Sequence, residues 1–459
     1  MKKILIALII LILLIPSNQS EKASLPNIPS REDIIGFLFA LEKRAKNLQF
    51  VIKSNVGKEL LEKTGNMNYV FNDTSLKDAI IAFYDAINVS YNESSIEEFI
   101  SSLNFSKEVS DAIALIMFSY VDVLNAKSGE EQIDALLITF SSIRKASYVL
   151  LNYSLNESKV DPYGKICFGS TKSNVFEKNL TFIIDFGGDD KYIARNNSFI
   201  LDLKGNDKYE NQSAIYGINI LYDLYGNDTH FDASYSYGGI NSYFDLEGND
   251  KYYGNTAVSY NDGMSFLIDM KGNDIYKGNA YTQAFSKGGI SLLFDFMGED
   301  VYNASLFSQA SSIEGIAILL DAYGNDVFEA KDYSQAFADG MSGRSISLFL
   351  NLQGDDLYMA GNYSQGYAED LAISVFLDVL GADNYKANKF SQASAILGLA
   401  GLIDVDGIGK FAGGFASQGY KMGGISFFMK DVDPRGNENI IQLFDYLNLY
   451  FRELFPQFI

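Results

Sequence analysis

The stretch Ile316-Ala317-Ile318-Leu319-Leu320-Asp321-Ala322-Tyr323-Gly324-Asn325-Asp326-Val327-Phe328 decides the fold, because it is one copy of a unit that occurs ten times. Each copy has an apolar run, a leading Asp, a Gly-Asn-Asp triplet and an aromatic residue. The leading positions are Asp185, Asp202, Asp223, Asp245, Asp269, Asp295, Asp321, Asn351, Asp378 and a degenerate Asp404. Successive gaps of 17, 21, 22, 24, 26, 26, 30, 27 and 26 residues imply a coil that widens and then settles. Gln283, Gln309, Gln335, Gln365, Gln392 and Gln418 each follow their leading residue by 14 positions, so length changes fall after the Gln. The short apolar runs bounded by turn residues read as strands, and helical repeats need 30 or more residues. A strand-rich unit of 20–27 residues stacked on copies of itself gives a parallel β-solenoid of about ten coils, right-handed by the crossover rule.

Stacking dictates the chemistry. The leading Asp can cap a turn by accepting amides two residues on, and the Gly is expected to supply a positive φ. Equivalent side chains then align in columns about 4.8 Å apart. Tyr192, Tyr209, Tyr252, Tyr276, Tyr302, Tyr358 and Tyr385, with Phe328 and Phe411, should form an aromatic ladder, and the Gln column an amide ladder. His230 occupies the Tyr position of its coil and reads as a ladder substitution.

The carboxylates are the exception to easy stacking. Asp185, Asp202, Asp223, Asp245, Asp269, Asp295, Asp321 and Asp378 form one column, and Asp190, Asp207, Asp228, Asp250, Asp274, Asp300, Asp326, Asp356 and Asp383 the other. Like charges at this spacing repel by about 1 kcal/mol per pair in water and about 3 kcal/mol at an effective dielectric of 20. Lys191, Lys208 and Lys251 could neutralise only the early coils. A cation midway between oxygens about 4.8 Å apart lies about 2.4 Å from each, which suits calcium. These residues are therefore candidate calcium ligands; the competing reading is turn capping by carboxyls that face solvent or keep their protons.

Gly-Asn-Asp-x-Tyr units after apolar runs resemble secreted β-solenoid repeat proteins and, more distantly, the calcium-binding RTX repeats. The resemblance covers about residues 181–412. It implies architecture, and that the Gly-x-Asp turns bind a cation. RTX repeats recur every nine residues with two turns per coil, so their calcium geometry is not carried over.

The rest of the chain frames the repeat. Met1-Lys2-Lys3 and the apolar run from Ile4 to Ile15 form a signal-peptide pattern over residues 1–20, about 18 Å of helix and too short to span a bilayer. An uncleaved membrane anchor is the alternative. Twelve Asn-x-Ser/Thr sequons from Asn72 to Asn362 are candidate glycosylation sites that accord with export. Residues 21–30 read as a linker, 31–160 as a helical domain that caps or docks a partner, 175–435 as the solenoid and 436–459 as a C-terminal capping helix, an α+β multidomain chain.

Composition excludes much. A net charge of −22 argues against nucleic acid, and one Cys and one His argue against Cys-rich metal sites and a Ser-His-Asp triad. The expectation is an exported structural or binding protein, secreted or on the cell surface, with an extracellular protein or polysaccharide as partner. The alternative is a polysaccharide-active β-helix enzyme, lyase or glycoside hydrolase, with Arg344 in the longest repeat as its candidate site marker.

Overall fold

The computed structural model describes residues 75–430, apart from 128, 178, 194–195, 211–212 and 342–344. The expected signal, linker and C-terminal helix, and Arg344 itself, lie outside the described residues, as does the first part of the helical domain. The described residues fall into two compact units, 75–149 and 150–430.

The described part of the first unit is four helices: α1 (Leu76–Ala86), α2 (Glu93–Leu103), α3 (Lys107–Asn125) and α4 (Gly129–Leu150). Each of the first three starts where a short polar side chain replaces a missing helical partner. Ser75 accepts the Asp78 amide, Asn92 that of Ser94 and Ser106 that of Val109. The apolar stripe Ala79, Ile80, Phe83 and Tyr84 of α1 is fully buried, and the Phe83 ring lies 6.2 Å from that of Tyr120 on α3. Among the described residues no helix is long and apolar enough to cross a membrane.

The second unit is a parallel β-solenoid, with about eight three-stranded turns across residues 213–429. A 13-stranded sheet carries the apolar runs, such as Ile290–Asp295 and Ile316–Asp321; an 11-stranded sheet carries the aromatic positions; a nine-stranded sheet follows the Gln turn. The third sheet starts only at Ser213–Ile215, because the first repeats have too few residues for a third strand. The coil therefore widens along the chain. Register holds without a slip: Asp185, Asp202, Asp223, Asp245, Asp269, Asp295, Asp321, Asn351, Asp378 and Asp404 pair in sequence. Leu221, Tyr243, Leu267, Leu293, Leu319 and Phe349 fill the interior beside the aromatic column. The outward residues of the same strands, such as Phe294 and Leu320, are buried too, which explains the near-continuous apolar runs.

The solenoid begins before the first recognisable repeat. Ile166–Gly169 already pairs with Phe182–Asp185, and Lys159–Val160 closes that end as an antiparallel strand. Gly169 stands where later coils place Asp, and no Gly-Asn-Asp follows it, so the marker is missing. A Cβ there would sit 2.5 Å from the Asp185 carboxyl, which explains the Gly.

The motif glycines also differ from expectation. Gly188 has a positive φ, but Gly205, Gly226, Gly248, Gly272, Gly298, Gly324 and Gly354 do not. They are needed for close approach instead. A Cβ on Gly298 would lie 1.9 Å from the Gly272 carbonyl oxygen and 2.4 Å from the Asp300 carboxyl. Positive φ is concentrated in the Gln turn, as at Tyr333, Gln335 and Ala336 (+60°, +50° and +64°).

Candidate functional site: the carboxylate columns

The amides of the Gly-Asn-Asp turn bond between coils in a repeating pattern. The Gly amide donates to a carbonyl of the next coil, as Gly298 to Tyr323 at 2.9 Å. The Asn amide donates to the equivalent side chain of the previous coil, as Asn273 to Asn249 Oδ1 at 2.7 Å. The Asp amide donates the other way, as Asp274 to Asp300 Oδ1 at 2.6 Å and Asp300 to Asp326 Oδ1 at 2.7 Å. The same bond recurs from Asp190 through Asp383. Alternating direction ties each turn to both neighbours.

This uses one oxygen of each second-position Asp. The other, Oδ2, has no hydrogen-bond partner in Asp190, Asp207, Asp228, Asp250, Asp274, Asp300, Asp326 and Asp383, although these residues are at most 4% exposed. Asp356 Oδ2 is the exception and accepts from the Tyr358 hydroxyl at 3.1 Å. The leading column is buried completely. Its Oδ2 atoms meet the aromatic ladder: Tyr276 donates to Asp295, Tyr302 to Asp321, and Tyr358 and Tyr385 to Asp378, all at 2.8 Å. Tyr192, Tyr209, Tyr252 and Tyr358 each touch two carboxyls: Asp185 and Asp202, Asp202 and Asp223, Asp245 and Asp269, and Asp356 and Asp378. A phenol has one proton, so it serves only one of two acceptors.

The expected intra-coil turn cap is present at Asp185, Asp202, Asp269 and Asn351, which accept the amide two residues on. In Asp223, Asp245, Asp295, Asp321 and Asp378 that oxygen has no hydrogen-bond partner. The carboxyls do not face solvent. Lys191 and Lys208 turn to Glu210 instead of the columns.

Unpaired burial and mutual repulsion hold protons on these groups. Burial, then the Asp202 charge, pushes Asp185 up to about 9, and burial beside Asp269 pushes Asp274 up to about 11. Asp356 rises to about 9 through burial and Asp326, and Asp250 to about 8 through burial and Asp269. Burial, with a smaller push from Asp190, raises Asp202 to about 6, and burial raises Asp269 to about 6, in both against hydrogen bonds that lower them. One donor oxygen from each of Asp185, Asp190 and Asp202 lies within 4.8 Å of the other two, as it does in Asp202, Asp207, Asp223, in Asp250, Asp269, Asp274 and in Asp274, Asp295, Asp300. Comparison with protein-family models, curated proteins and solved structures gives no match.

The ladders supply the contrasting chemistry. Rings of the Tyr column, including His230, Phe328 and Phe411, stack with centroids 4.3–5.2 Å apart. Gln309, Gln335, Gln365, Gln392 and Gln418 each donate to the Oε1 of the preceding Gln at 3.0–3.1 Å, starting from Gln283. Two ladders escaped the sequence reading. Tyr281, Phe307, Tyr333, Tyr363 and Phe390 stack at 4.6–5.4 Å two residues before the first five Gln residues, and a Ser precedes the Gln from Ser308 onward. Their constant offset from the Gln, two residues and one residue before it, was the available signal.

Proposed function

We propose that this chain is an exported structural scaffold whose stiffness comes from the stacked ladders, with calcium balancing the all-carboxylate groups at neutral pH. The unbroken register of ten leading residues carries the reading, because such a column transmits load and presents its faces at a fixed repeat. Calcium is supported by the chemistry of the donors: hard oxygens, buried, with one oxygen left unpartnered in most of them, Asp190, Asp223, Asp274, Asp295 and Asp300 among them. The acidic columns cannot serve as the carboxylate pair of a glycosidase, because a glycan cannot reach residues this buried.

Fractionation of cells making the whole chain tests export: it should be recovered beyond the cytoplasmic membrane, and a cytosolic product would overturn that part. Incubation with uronic-acid and neutral polysaccharides should release no new ends; turnover would favour the enzymatic alternative. The metal content of the purified chain should include several calcium ions, and a calcium-free yet fully stable protein would reject the ionic part.

A further inference from the structure

One coil departs from the repeat at two positions that meet in space. His230 replaces the ladder Tyr, and Tyr243 replaces the inward Leu of the neighbouring coils, where Leu221 and Leu267 stand. The imidazole lies stacked between Tyr209 and Tyr252, with centroids at 4.9 and 4.6 Å, so it keeps its place in the ladder. Its Nδ1 is held by the Tyr243 hydroxyl. Its Nε2 is directed at the carboxylate columns, fully buried and with no hydrogen-bond partner.

We infer that His230, Asp228, Asp245 and Asp250 form a site for a single first-row divalent metal of the zinc type. One donor atom from each lies within 4.8 Å of the other three, and all four residues are at most 1% exposed. Asp228 Oδ2, Asp245 Oδ1 and Asp250 Oδ2 lack partners, as does the imidazole nitrogen. The distance from Nε2 to the other Asp245 oxygen, Oδ2, which also meets the Tyr252 hydroxyl, is 3.4 Å. That is long for a hydrogen bond, but it matches the edge of a tetrahedron with bonds of about 2.0–2.1 Å, which is about 3.3 Å. An imidazole among carboxylates favours a zinc-type metal over calcium, which prefers six to eight oxygens. Ligation through Nε2 requires the proton on Nδ1, and the Tyr243 oxygen is placed to accept it, so Tyr243 is a positioning residue. Burial keeps the imidazole neutral, pushing it down to about 3.

The site shares Asp228, Asp245 and Asp250 with the columns assigned to calcium, but does not depend on calcium being bound elsewhere, and one experiment separates the two. The full chain, without a histidine tag, is refolded with Zn2+ and Ca2+ together, freed of loose metal and measured for both elements. One zinc per chain is expected, in addition to calcium. His230→Tyr restores the residue found in the flanking coils, so it should fold with an unchanged circular dichroism spectrum, keep its calcium and lose the zinc. Tyr243→Phe should weaken zinc binding by about 10- to 100-fold. With Co2+ in place of zinc, the sole histidine should give paramagnetically shifted imidazole resonances. Absence of zinc from the wild-type chain, zinc retained in full by His230→Tyr, or an unshifted imidazole would each overturn the site, whatever the calcium content.

Discussion

Two of the three turns in each wide coil resolve stacking in opposite ways. The Gln turn repeats a side chain that is both donor and acceptor, so copies about 4.8 Å apart satisfy one another. Gln335 Nε2 meets Gln309 Oε1 and two carbonyls, Phe328 O and Met359 O, and this network offsets a backbone held at positive φ. The Gly-Asn-Asp turn repeats an acceptor-only group. Its carboxylates take amides and phenols from their neighbours and are still left with unpartnered buried oxygens. An amide column closes on itself, whereas a carboxylate column needs a cation or a proton from outside.

The glycines break the comparison most sharply. Gly298→Ala places a methyl on a neighbouring carbonyl and should cost about 4 kcal/mol or more, seen as loss of soluble protein or a collapse of the denaturant midpoint. Ala336→Gly, in the other turn, relieves a positive φ while giving up a buried methyl, and should shift stability by less than about 1 kcal/mol. Next in size, Gln335→Ala leaves Gln309 Oε1 and the Gln365 amide without their ladder partner and should cost about 3 kcal/mol in a urea titration. Asp300→Asn should do the reverse of a ladder break: without metal it removes repulsion and raises the melting temperature at pH 8, while in calcium it lowers it.

The smallest effect concerns two linked exceptions. Phe328 has no hydroxyl, and the leading residue that a Tyr there would reach in the next coil is Asn351 rather than Asp. A cycle of Phe328→Tyr and Asn351→Asp should show a favourable coupling of about 1 kcal/mol. Additive or opposed single effects would show that the hydroxyl and the carboxyl do not recognise each other.

The repeat spacing made the solenoid legible, and the constant offset of the Gln made its ladder legible. What could not be read depends on contacts between coils. The role of Gly298 appears only when Gly272 lies above it, and the third sheet uses three-residue strands such as Ser311–Ile313 that carry no period. The stacking of the carboxylates follows from the repeat spacing, but nothing in Asp300 or Asp321 alone shows that they are buried. His230 was read as a ladder member, which it is; its second contact, with Tyr243, joins positions thirteen residues apart on different strands.

The melting temperature of the whole chain at pH 5 and pH 8, with calcium and after exhaustive chelation, tests the central claim most directly. Native carboxyls such as Asp202, Asp250 and Asp356 titrate near about 6, 8 and 9, above the unfolded value of about 4. Their stabilising protons are fully bound below pH 4 and are lost as the pH rises through those values, at about 1.4 kcal/mol per pH unit for each extra proton held. The metal-free chain should therefore melt lower at pH 8 than at pH 5, the reverse of ordinary acid denaturation. Calcium should raise the pH 8 value by about 10 °C or more and flatten the pH dependence. A chelated chain that melts at one temperature at both pH values, and at the same temperature with calcium, would contradict the account.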